Sequence, residues 1–153
     1  MSSRYLGLDI GTKTIGVAVS DALGWTARPV LTIHRKGWVE DLAAMQQLKQ
    51  EYAPALLVVG LPLGSNGEMT EQARFNQRAA ERIQAELDVP VVYRDESFSS
   101  EEASDLLREM GMGRKKRRKK QKRSLDELAA ASILQSYLDE QHRLQQVKKN
   151  QDL

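Results

Sequence analysis

Asp9, Glu96 and Asp126 are acids in positions that tolerate acids poorly. Asp9 falls in a run of period-two alternation, where Leu6, Leu8 and Ile10 share one face and Tyr5, Gly7 and Asp9 the other. Aspartate is depleted in strands and is rarely buried unless paired or bound to metal. Glu96 ends the last strand-like run, 89–93, and the residues that follow it. Asp126 shares a helical face with Ala130, Ile133, Leu134 and Tyr137, so it points toward whatever that face packs on. Carboxylates brought together at one sheet edge repel and raise one another's pKa, and a divalent cation removes that penalty. Hard oxygen donors without thiolates favour Mg²⁺ or Mn²⁺. Two such ions about 3.5–4 Å apart activate a water and stabilise a leaving oxygen, which is the chemistry of phosphodiester hydrolysis. In that scheme Asp9 bridges and Glu96 and Asp126 flank, with Lys13 placed to hold a phosphate. Asp95 points to the opposite face and is assigned a supporting role.

Taken singly, each residue has a plainer reading. Asp126 near a helix start complements the helix dipole. Asp9 can open the following turn by bonding Thr12 or Lys13, Glu96 can be a surface residue beyond a strand, and Lys13 a solvated turn lysine. The metal reading rests on three acids arriving at one edge independently.

The elements that must place them follow from periodicity. Residues 5–21 read as two strands joined by the turn Gly11-Thr12-Lys13-Thr14, and 27–33 as a third, giving an antiparallel meander. Helical spacing runs over 38–52, through Val39, Leu42, Met45, Leu48 and Tyr52. The run 55–59, apolar on both faces, reads as a buried parallel strand. A polar helix is expected over 68–87, then the strand 89–93. Ser99 with Glu102, and Ser124 with Glu127, read as capping boxes that open helices near 103–110 and over 125–143. The order β-β-β-α-β-α-β-α-α implies an α/β fold, a mixed five-stranded sheet with helices on both faces. Sites in such sheets lie beyond the carboxyl ends of the parallel strands.

A chain of 153 residues fits one domain, 1–153. It has no cysteine, and its two histidines, His34 and His142, are far apart, so thiol chemistry and His-rich metal sites are excluded. No run approaches membrane-spanning length, and the expected location is cytoplasmic. Residues 114–123 carry nine basic side chains in ten positions: Arg114, Lys115, Lys116, Arg117, Arg118, Lys119, Lys120, Lys122 and Arg123. Setting those nine aside from 23 leaves 14 Lys and Arg against 21 acids, so the body carries about −7. An acidic body with one basic belt points to localised nucleic-acid binding, weakened steeply by salt. The bland alternative is a solvated linker. The belt is expected to be mobile, and the tail 144–153 frayed. The scarcity of aromatic residues argues against a base-stacking platform and for recognition of backbone and shape.

With these residues in view, the chain resembles the YqgF/RuvX family, to which Holliday junction resolution or pre-16S rRNA processing is ascribed. The resemblance covers roughly residues 4–139. It rests on LGLDIGTKTIGVAVSD, VVGLPLGSNG, DESFSSEEA and DELAAASILQSYL, in that order. It implies a ribonuclease H-like fold and metal-binding acids at Asp9, Glu96 and Asp126. Two departures stand out: Ser97 occupies the place of an arginine usual after the DE pair, and the loop around Gly64-Ser65-Asn66 is altered. The activity expected is a metal-dependent endonuclease of structured nucleic acid, with pre-rRNA, free or in ribosomal precursor particles, ahead of branched four-way DNA. No membrane partner is expected. A resolvase would want a homodimer, whereas an RNA nuclease can act as a monomer. Two readings of other classes compete. Residues 9–13 resemble the phosphate loop of actin-like and sugar kinases, but those need two lobes. A non-catalytic nucleic-acid binder or ribosome-assembly factor would bind without cleaving.

Overall fold

The computed structural model describes residues 4–96 and 114–151, with side chains throughout except at 114–124. Strands β1 (Tyr5–Ile10), β2 (Thr14–Ser20) and β3 (Ala27–His34) form the expected meander. Helix α1 (Trp38–Tyr52), strand β4 (Leu56–Leu61), helix α2 (Glu71–Leu87) and strand β5 (Val91–Asp95) follow, and helix α3 (Arg114–Gln151) closes the chain. The sheet order is β3-β2-β1-β4-β5, with β1, β4 and β5 parallel and β2 antiparallel to both neighbours. This is the mixed five-stranded α/β sheet that the sequence pattern implies.

Alternation along the strands separates two cores. Leu6, Leu8 and Ile10 of β1, Ile15, Val17 and Val19 of β2, and Leu57 and Val59 of β4 face α1 and α2, where they meet Met45, Leu48, Ile83 and Leu87. On the other face, Ala18 and Val58 meet Ala130, Ala131, Ile133, Leu134 and Leu138 of α3. The second face is built from small residues. A Cβ added at Gly7 would stand 2.7 Å from the Ala130 carbonyl oxygen and 2.8 Å from the Leu134 Cβ, so α3 rests on the backbone of the sheet itself. Glycine inside a strand often marks such close backbone approach.

Several boundaries differ from the sequence pattern. Helix α2 begins at Glu71 rather than 68, because the Thr70 side chain accepts from the Ala73 N–H at 3.0 Å and its hydroxyl donates to the Pro62 carbonyl at 2.8 Å. Val39 of α1 is exposed rather than part of the apolar stripe. Helix α3 starts at Arg114, not at Ser124, and continues past Arg143. The basic run is therefore helical backbone continuous with the segment bearing Asp126, rather than a linker ahead of it, and the tail through Gln151 is helical too. No Gly or Pro interrupts 114–151, and Lys, Arg and Gln are good helix formers. Ser124 and Glu127 thus lie inside the helix rather than at its start. Ser97, the capping pair Ser99 and Glu102, and the helix expected near 103–110 lie outside the described residues.

One buried ion pair ties the meander to α1. Asp41, 2% exposed, takes the Arg35 Nε at 3.0 Å and the Lys36 N–H at 3.1 Å, while the Arg35 Nη1 donates to the Gly11 carbonyl at 2.9 Å. Arg35 thereby holds the β1–β2 turn in place.

Gly7→Ala tests the seating of α3. The new methyl group overlaps main chain that cannot swing aside, so urea unfolding should show a loss of about 1–3 kcal/mol or more. A change within about 0.5 kcal/mol would mean that α3 sits looser than the structure shows.

Candidate active site

The three acids come from one end of the sheet and from the stretch of α3 that crosses it. Asp9 lies on the α3 face of β1, directly across from Gly16 of β2. Above Gly16 runs the main chain of Asp126, so close that a Cβ there would stand 2.0 Å from the Asp126 carbonyl oxygen. On the other side, Leu8 pairs with Val59, which makes Asp9 and Gly60 the next residues along the parallel strands β1 and β4. The Glu96 N–H donates to the Leu61 carbonyl at 2.8 Å, extending the β4–β5 ladder by one bond. This turns the Glu96 side chain over Gly60, where a Cβ would meet its Oε2 at 2.6 Å and the Ile133 Cδ1 at 2.7 Å. Glu96, Asp9 and Asp126 thus follow one another across β4, β1 and β2 at a single end of the sheet, beneath α3.

Their titration reflects this crowding. The Asp9 carboxyl is raised to about 6, first by burial and then by the charge of Asp126. The Glu96 carboxyl is raised to about 8, first by burial and then by the charge of Asp9. Each raised carboxyl thus has one acidic neighbour acting on it, Asp126 on Asp9 and Asp9 on Glu96. Among the described residues neither Asp9 nor Glu96 has a cationic partner. No three acids or histidines among the described residues form a ready-made metal cage. The donor set is instead two carboxylate pairs that share Asp9. Such a pair of carboxylates is a hard oxygen donor set that could hold a divalent ion completed by water and substrate.

Of the remaining sequence candidates, Lys13 is exposed in the turn that follows β1, at the same end of the sheet. Arg114, Lys115, Lys116, Arg117, Arg118, Lys119, Lys120, Lys122 and Arg123 lie on helical backbone that leads directly into Asp126. Asp95 is exposed on the other face, as its alternation with Glu96 requires. Sequence reasoning missed the residues that fix the level of α3. Arg94 of β5 donates to the Ser136 hydroxyl at 2.7 Å and pairs with Glu140. Gln135 accepts from the Ala27 N–H at 2.9 Å and donates to the Trp25 carbonyl at 3.0 Å. The His142 ring stacks on Trp25 with centroids 3.8 Å apart. The available signal was glycine in strand interiors at 7, 16 and 60.

Comparison with known proteins bears on this site. A sequence profile of the RuvX family, described as Holliday junction resolvase, matches residues 3–140. A Moorella thermoacetica protein named "Putative pre-16S rRNA nuclease" is 45% identical over 136 residues, covering 89% of this chain and 94% of the relative. A Syntrophomonas wolfei protein of the same name is 43% identical with the same coverage. Among solved structures, T. thermophilus RuvC in complex with a Holliday junction substrate is similar at a TM-score of 0.55 and 14% identity, covering 91% of this chain and 96% of that one. The fowlpox virus resolvase with its Holliday junction gives 0.55 and 16%, covering 90% and 97%. At these identities the structural likeness is one of fold, and that fold is ribonuclease H-like.

Because both carboxyls are raised, the native state holds protons that the unfolded chain has already released. Without divalent ions, stability should therefore fall as pH rises from about 4, the ordinary range of these groups, toward about 8. Asp9→Asn should flatten that fall and raise Tm above wild type at pH 8. A Tm that climbs with pH across this window in metal-free wild type would contradict the crowding.

Proposed function

The chain belongs to the RuvX family and is a nuclease, and on that premise we propose that it is a divalent-metal-dependent endonuclease that processes the 5′ end of pre-16S rRNA. The observation that carries this reading is the position of Asp9 between Glu96 and Asp126 at one sheet end, with no cationic partner for Asp9 or Glu96 among the described residues. Asp9, Glu96 and Asp126 would hold the metal, with Mg²⁺ or Mn²⁺ as the ion. When bound, the ion neutralises the acids and supplies an acidified water and Lewis-acid stabilisation of the leaving oxygen.

The chain's own residues do the rest. Asp9 and Glu96 give up their protons to become ligands, and their raised pKa values make that release the pH-sensitive step. Lys13, on the exposed turn after β1, holds a substrate phosphate. The basic run 114–123, carried on the same helix as Asp126, grips the nucleic-acid backbone beside the acids. Ribosomal precursor particles are the partners that fit this chemistry, and the cytoplasm is the matching compartment. Among the described residues no helix is long and apolar enough to cross a membrane. Four-way DNA is the second reading, favoured by the family description of Holliday junction resolvase. Cutting two strands of a junction would call for a homodimer, whereas a single RNA strand needs one protomer.

A precursor 16S transcript and a four-way DNA junction incubated side by side with Mg²⁺ or Mn²⁺ separate the two substrates. Asp9→Asn should reduce cleavage of the preferred one by roughly 100-fold or more. At limiting metal the wild-type rate should rise with pH between about 6 and 8, and saturating metal should move that rise to lower pH. Undiminished cleavage by Asp9→Asn would end the metal-nuclease account.

A further inference from the structure

A second feature at the same end of β1 has no part in the metal chemistry. A cleft of about 470 Å³ opens between the β1–β2 turn and α2, lined by Thr12, Glu71, Gln72, Arg74, Phe75 and Arg78. It lies on the α1/α2 side of the sheet, so the turn separates it from the acids beneath α3. Arg74 and Arg78 are one helical turn apart and share a face of α2. Both are exposed, and among the described residues neither has an ion-pair or hydrogen-bond partner.

The surroundings keep these two arginines available. Arg82, one turn further along, packs on the Trp38 ring at 4.6 Å. Arg35, already paired with Asp41, lies over Trp38 at 4.7 Å and near Phe75 at 5.9 Å. Phe75 thus has a cation held against it, and it gives the cleft an apolar wall. Glu71 opposes an anion, but two guanidinium groups outweigh one carboxylate, and its charge is offset by the N-terminal end of the α2 dipole. Guanidinium forks match phosphate geometry.

Distance ties the cleft to the acids. Thr12 is three residues beyond Asp9, so the edge of the cleft lies at most roughly 11 Å along the chain from that acid. We propose that this cleft binds the phosphodiester backbone of the substrate strand to one side of the bond that is cut, with Arg74 and Arg78 as its phosphate contacts. The inference rests on the nuclease reading for what the strand is. It makes the β1–β2 turn a ridge over which the strand passes, from α3 on one side to α2 on the other.

The test measures binding rather than cleavage. Fluorescence anisotropy is followed in the Asp9→Asn background without divalent ions, over a salt series, with a labelled RNA duplex and a labelled four-way DNA junction as probes. Replacing both arginines, R74A/R78A, should weaken binding several-fold and reduce the slope of log affinity against log salt by roughly 1.4–1.8, two phosphate contacts' worth. R74K/R78K should keep most of the wild-type slope, and E71Q should bind more tightly. Loss on one probe alone supports the cleft and names its substrate. Wild-type affinity and slope in R74A/R78A on both probes would overturn the inference, as would equal loss in the lysine variant, which would mark the arginines as structural. A protein that binds through the cleft yet cleaves neither substrate would defeat the nuclease mechanism and leave the cleft standing.

Discussion

Everything at the acidic end depends on how close α3 lies to the sheet. That distance is set by missing side chains: Gly7, Gly16 and Gly60 leave the strands bare where the helix crosses, and Ala130 and Ala131 keep the helix narrow where it meets them. Backbone packed on backbone is stiff, because no rotamer change can absorb a displacement. The level of α3, and with it the position of Asp126 over Gly16, is therefore set by main-chain contact rather than by side chains. Arg94, Gln135 and His142 fasten the helix further along, through contacts with Ser136, the Trp25 carbonyl and the Trp25 ring. The acids are placed by the packing of a whole helix rather than by their own bonds.

The contrast between Asp41 and Asp9 shows what the fold does with acids it satisfies itself. Asp41 is almost fully buried, and it is given an arginine and a backbone N–H. Asp9 is given two more acids. Burial and like charge both disfavour its ionised form, and Glu96 is pushed further still. A protein that needed these groups only for folding would lose nothing by neutral residues of similar size. Among the described residues no cation stands against Asp9 or Glu96, the opposite of what surrounds Asp41.

Charge elsewhere is distributed to suit an extended polyanion. The body is acidic apart from the basic run, yet cations collect around the end of β1: Lys13 on the turn, Arg74 and Arg78 along α2, and the run 114–123 on α3. These come from both faces of the sheet. Helical continuity from 114 into Asp126 places the basic run on the same element as that acid.

The five strands and helices α1 and α2 were legible from periodicity, because alternation in 5–21 and helical spacing in 38–52 are local properties of the chain. So were the three acids, each anomalous where it stands: an aspartate in a strand, a glutamate at a strand end, an aspartate on an apolar helix face. Hidden from the sequence were the true start of α3, the pairing of Asp41 with Arg35, and the partnership of Gly16 with Asp126 and of Gly60 with Glu96. Each of these joins residues far apart in sequence or depends on what packs against a segment that is itself uniformly polar. Local pattern determined which residues were out of place. Only the meeting of α3 with a bare stretch of sheet decided that they are out of place together, because like charges interact through the distance between them in space and not along the chain.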